Sequence, residues 1–142
     1  VTPTANGCGG TPITFTITVN PTPTANAVSN QAVCNGAPTT AISFSGSVGT
    51  AVYNWTNNTP SIGLAASGTG NIASFTAVNA TASPVTATIT LTQSANGCTG
   101  TPITFTITVK PTPAVNSVSN QSVCNVTSTT AVTFAGTATS YT

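Results

Sequence analysis

Residues 5–46 and 95–136 are nearly the same text. They align without gaps, 30 of 42 positions are identical, and the nine residues TPITFTITV stand unchanged at 11–19 and 101–109. The offset is 90 residues throughout, so Cys8 corresponds to Cys98 and Cys34 to Cys124. A fixed period sets the architecture before any single residue is weighed, and 90 residues is the size of one small sandwich. The chain divides into a complete repeat at 21–110, the closing strands of a preceding repeat at 1–20, and the opening of a following one at 111–142. Tyr141-Thr142 are set against Tyr53-Asn54 in mid-strand, 88 residues apart and so two short of the period, and the chain reads as a window on a longer tandem array. Identity this high points to recent duplication, in which repeat number matters more than a distinct site in each copy.

Within the period, alternation is strict. Ile103, Phe105, Ile107 and Val109 face one way, and Thr104, Thr106 and Thr108 the other. Val85, Ala87, Ile89 and Leu91 alternate in the same manner with Thr86, Thr88, Thr90 and Thr92. This is the period-2 pattern of strands with one buried face. Asn96-Gly97 lies between the two runs and marks a hairpin turn. Residues 11–19 are expected to form a strand like their copy. Further strands are predicted at 28–33, 40–46 (Ile42 and Phe44 inward), 51–56 (with Tyr53 and Trp55), 62–66, and 71–77 (Ala73 and Phe75 inward). That makes about seven strands, with no helical periodicity, which implies an all-β, immunoglobulin-like sandwich. Pro21-Thr22-Pro23 and Pro111-Thr112-Pro113 follow the last strand of each copy and read as short, semi-rigid linkers.

Composition then removes whole classes of function. The 142 residues include one Lys and no Arg, Asp, Glu or His, while 33 are Thr and 14 Ser. Without a carboxylate or an imidazole there is no general acid–base pair and no Ser-His-Asp triad. No carboxylate cage for calcium can be built. Lys110 alone makes no basic face for nucleic acid. Apolar stretches are short and broken by Thr, so no membrane-inserting segment is expected. No catalytic residue, cofactor site or metal site is assigned.

The ordered set Val33-Cys34-Asn35-Gly36, Phe44, Tyr53-Asn54-Trp55-Thr56, Ile62-Gly63-Leu64, Gly70-Asn71-Ile72-Ala73-Ser74-Phe75, Asn96-Gly97-Cys98 and Pro111-Thr112-Pro113 resembles the PKD-like, immunoglobulin-like tandem repeats of very long secreted proteins of Bacteroidota. The resemblance covers the whole chain. It implies repeats in the stalks of giant surface adhesins, secreted and displayed at the cell surface, with no active site. The absence of acidic residues departs from tandem adhesins that calcium stiffens.

The four cysteines fit an oxidising, extracellular setting. One reading is a disulfide within a repeat, Cys34 to Cys98. The competing one pairs Cys8 with Cys34 and Cys98 with Cys124, stapling neighbours together, and spacing does not choose between them. Two thiols per repeat and no His are too few ligands for zinc. Trp55 is either the inter-sheet core tryptophan of an immunoglobulin-like domain or, with Tyr53, a platform for glycan. Asn54, Asn57, Asn79, Asn120 and Asn125 each begin an Asn-x-Ser/Thr triplet, a match that chance supplies in a chain this rich in Asn and Thr. The expected role is therefore a non-catalytic structural repeat that sets length and spacing. Its partners are neighbouring repeats of the same chain and other copies in a filament or bundle. A glycan-binding module and an accessory domain of a secreted hydrolase are the alternatives.

Overall fold

Threonine alternation builds the centre of the molecule. In the computed structural model, which describes residues 1–138, 140 and 142, β6 (Val85–Ala95) and β8 (Ile103–Lys110) pair antiparallel from Val85↔Val109 to Leu91↔Ile103. Ala87, Ile89, Leu91, Phe105, Ile107 and Val109 are buried on the inner face. On the outer face Thr86, Thr88 and Thr90 stand directly opposite Thr108, Thr106 and Thr104. The first of these pairs shares a 2.9 Å hydrogen bond between hydroxyls. Branching at Cβ suits the pleat, and the hydroxyls keep this face wet without charge. The short β7 (Cys98–Thr99) folds back on the end of β6 through Asn96 and Gly97, both at positive φ (50° and 79°), as a two-residue turn of the primed kind requires.

Further strands extend this sheet. β4 (Val52–Asn57) pairs antiparallel with β6, and β5 (Ser67–Thr69) with β4. On the other side β3 (Gln31–Cys34) runs parallel to β8, giving the order β3-β8-β6-β4-β5. A second layer lies across it, formed by residues 24–26, 37–46 and 71–77. It is joined by the antiparallel bridges Ala25↔Gly46, Pro38↔Thr76 and Ile42↔Ile72. Ile42, Ile72 and Ala77 from this layer meet Trp55, Ile89, Leu91, Phe105, Ile107 and Val109 in one core. The molecule is thus an all-β sandwich.

Several strand expectations shift. Residues 62–66 are not a strand. Pro60–Ile62 form a 3-10 turn, closed by Gly63 at φ 97°, whose N–H reaches the Pro60 carbonyl at 3.1 Å. Proline suits the first turn of such a helix and glycine its left-handed end, and the turn drives Ile62 fully into the core. In 71–77 the buried residues are Ile72 and Ala77, with Phe75 half-buried and Ala73 exposed. Thr39 causes the change of phase. Its buried hydroxyl replaces a backbone carbonyl as the partner of the Phe75 N–H (3.1 Å), and Ser74 Oγ bonds the Thr39 carbonyl. The ladder is interrupted there. Residues 28–30 carry the chain from the second layer to the first, so β3 begins only at Gln31.

At the front of the chain, β1 (Thr4–Ala5) and β2 (Cys8–Gly9) make a small hairpin over Asn6 and Gly7. Residues 11–19 form no strand and leave Ile13, Phe15, Ile17 and Val19 exposed. Among the described residues, 114–137 keep the bridge Val115↔Gly136. Tyr141, aligned above with Tyr53, lies outside the described residues.

Candidate functional site at the two poles of the sandwich

The chain enters the sandwich at one pole and leaves it at the other. Entry is at Pro23, which is buried, and its carbonyl accepts a 3.1 Å hydrogen bond from Gln93 Nε2. The same amide nitrogen also donates to the Thr101 carbonyl at 3.2 Å. Gly100 lies so close that a Cβ there would stand 2.0 Å from the Pro23 oxygen. Only glycine lets the backbones approach this far. Just upstream, Asn20 Nδ2 donates to the Asn96 carbonyl at 3.0 Å, and the Cys98 thiol lies 3.8 Å from the Asn20 carbonyl oxygen. Asn20 therefore rests on the β6–β7 hairpin.

The exit pole is where β8 ends. Lys110 stands opposite Cys34 in the parallel ladder, and its carbonyl accepts from the Asn35 N–H at 2.8 Å. Asn35 binds outward and inward at once. Its Nδ2 donates to Thr112 Oγ1 of the linker at 3.0 Å, while its Oδ1 accepts from the Asn79 N–H at 2.8 Å. Asn79 is buried, and its own amide donates to the Ser83 and Val109 carbonyls, each at 2.8 Å. Each Pro-Thr-Pro segment is thus held by a side-chain amide of the sandwich.

A family model for the PKD-like domain matches residues 26–113. The chain belongs to the PKD-like domain family. A search of the curated proteins and a search of the solved structures each returned no match. A PKD-like domain is a generic immunoglobulin-like module, consistent with a non-catalytic, structural role, and such domains are typically extracellular. Among the described residues no helix is long and apolar enough to cross a membrane, and no three His, Cys, Asp or Glu side chains gather.

The PKD-like sandwich places the candidate residues as follows. Trp55 is 7% exposed, with its ring pressed under Gly68, where a Cβ would stand 2.2 Å from Cζ2. It belongs to the core and is not available as a glycan platform. Tyr53 is half-buried, with its ring 5.8 Å from that of Phe44. The expected Cys34–Cys98 disulfide is not formed. Cys34 lies beside Lys110 and Cys98 beyond the other end of β8. Seven residues of strand, roughly 24 Å, separate Lys110 from Ile103, whereas a disulfide needs Cα atoms within about 7 Å. Nor are Cys8–Cys34 and Cys98–Cys124 joined, and all four thiols are free. Asn57 and Asn79 spend their buried amides on backbone carbonyls, so neither can serve as a sugar acceptor in the folded domain.

The residues missed from sequence are Gln93, Asn35, Asn20 and Asn96, which make the pole contacts. Gln93 left one signal. It breaks the run of threonines and apolar residues at an inward position, two residues after Leu91. A shallow cleft of about 390 Å³ lies between residues 27–31 and 40–43, and one of about 240 Å³ recurs between 118–121 and 130–133. In both, a Gln bonds a Thr backbone across the gap, Gln31 to Thr40 and Gln121 to Thr130. These clefts are seams between strand segments.

Proposed function

We propose that this PKD-like chain is a spacer module of a long extracellular surface protein. It sets length and orientation by docking each copy end to end on the next. The observation that carries this reading is the contact of Asn20 with the Asn96–Cys98 hairpin, made across a linker of three residues whose last, Pro23, is buried in the entry pole. A flexible tether needs neither contact. Secretion, display at the cell surface and kinship with giant adhesins of Bacteroidota belong to the same proposal. The neutral threonine face of β6 and β8 also supports lateral packing of copies into a filament, since almost no charge holds them apart.

Small-angle scattering tests the reading on this chain and on one lengthened by a period, residues 1–110 followed by 21–142. End-to-end docking is expected to lengthen the particle by roughly 35 Å, one strand length plus a linker. A second sandwich folded back beside the first overturns the reading. Negative-stain images of longer arrays test the lateral packing separately, and isolated strings at micromolar concentration overturn it.

A further inference from the structure

Each complete copy carries two cysteines, and the fold puts them at opposite poles, Cys98 at the entry and Cys34 at the exit. Neither finds a partner in its own copy. The period supplies one. Asn20 is the residue that corresponds to Lys110 one period earlier. The Lys110 carbonyl accepts the Asn35 N–H at 2.8 Å, and Asn35 directly follows Cys34. The Asn20 carbonyl accepts the Cys98 thiol at 3.8 Å. Superposed by the period, these are two views of one carbonyl. One side is held by the amide that follows Cys34 of the copy being left, and the other by the Cys98 thiol of the copy being entered. Cys34 is exposed and Cys98 half-exposed, so nothing in either copy covers the gap.

We infer that Cys34 of each copy forms a disulfide with Cys98 of the copy that follows it, stapling the junction. The inference rests on the end-to-end reading above. It replaces both pairings considered from sequence. One of those asks a bond to span a whole sandwich, and the other joins cysteines at non-adjacent poles. In the staple, two thiols give up two protons and two electrons and one S–S bond forms. A disulfide oxidant is reduced to thiols in exchange, as by oxidised glutathione or a thiol–disulfide oxidoreductase outside the cytoplasm.

The test uses the chain lengthened by one period. Cys98→Ser in the first copy and Cys34→Ser in the second, with Cys8→Ser and Cys124→Ser, leave only the junction pair. A control keeps Cys34 and Cys98 of the same copy and no others. After oxidised glutathione, the junction chain is expected to stay monomeric, lose the mass of two hydrogens and resist alkylation. The control is expected to keep both thiols reactive or to take up glutathione. Junction thiols that behave like the control, in a chain that scatters as two sandwiches end to end, overturn the staple alone. Scattering from side-by-side sandwiches overturns the end-to-end reading and the staple with it.

Discussion

The same nine residues occupy two places in this molecule and have two fates. At 101–109, TPITFTITV lies between β3 and β6, with Phe105 2% and Val109 0% exposed. At 11–19 the identical run has no strand beside it, and Phe15 is 71% and Val19 87% exposed. Burying four such side chains is worth on the order of 8 kcal/mol, comparable to the whole stability of a small domain. The alternating pattern makes that energy available, and neighbouring strands realise it. Residues 24–46 and 114–136 show the opposite behaviour. A Cβ on Gly46 would stand 2.0 Å from the Thr24 oxygen, and one on Gly136 2.1 Å from that of Ala114. The Gln clamps also recur in both. Contacts between segments nine to 22 residues apart form in either copy, whereas the long-range ladder forms only where every strand is present.

Hydrogen exchange should sharpen this contrast most. Amides of β8 are expected to exchange at least about a thousandfold more slowly than their counterparts in 13–19, because only the former open with the whole domain. Equal rates would mean that the exposed copy finds a partner in solution. Next in size is truncation of the ring. Phe105→Ala is expected to cost about 3–5 kcal/mol in urea unfolding, and Phe15→Ala no more than about 0.5 kcal/mol. A large effect at Phe15 would break the comparison.

A smaller difference is expected at the paired glycines. Gly100→Ala forces a methyl against the backbone at Pro23 and should cost about 1–3 kcal/mol. Gly10→Ala meets the Pro3 ring at 2.9 Å and the Pro3 carbonyl oxygen at 3.4 Å, in an exposed hairpin, and should stay within about 0.5 kcal/mol. The smallest effect is that of pH. With no Asp, Glu or His in the chain, no side chain takes up protons on unfolding between about pH 4.5 and 7.5. The melting temperature should be flat across that range, and a drift of more than a few degrees would show that one copy's environment titrates after all.

Much of the sandwich was legible because its strands advertise one face. Ile103, Phe105, Ile107 and Val109 alternate without error, and so do the inward residues of β6. Where a side chain takes over from the backbone, the pattern misleads. Thr39 looks like any other strand threonine, yet its hydroxyl takes the Phe75 N–H and interrupts the ladder, and on the far side of that break Ile72 is buried in place of Ala73. The 3-10 turn at Pro60 was hidden because Ile62-Gly63-Leu64 is apolar enough to pass for a short strand. The poles were least legible. Which end of the sandwich Cys34 occupies depends on β3 running parallel to β8, and no local spacing encodes that choice.

That parallel pairing also decides how the domain meets tension. The chain arrives at the entry pole and departs from the exit pole, so pulling on its two ends draws β3 one way and β8 the other, along their common axis. Four residue pairs, from Gln31↔Ile107 to Cys34↔Lys110, take the load side by side. Bonds loaded in shear give way together, whereas those of a hairpin peeled from its tip part singly, and resistance to forced unfolding follows the rate of that one event. In the array proposed above, a series of such units holds its length under drag until one unit yields as a whole, and each yielding unit then releases its full contour as slack.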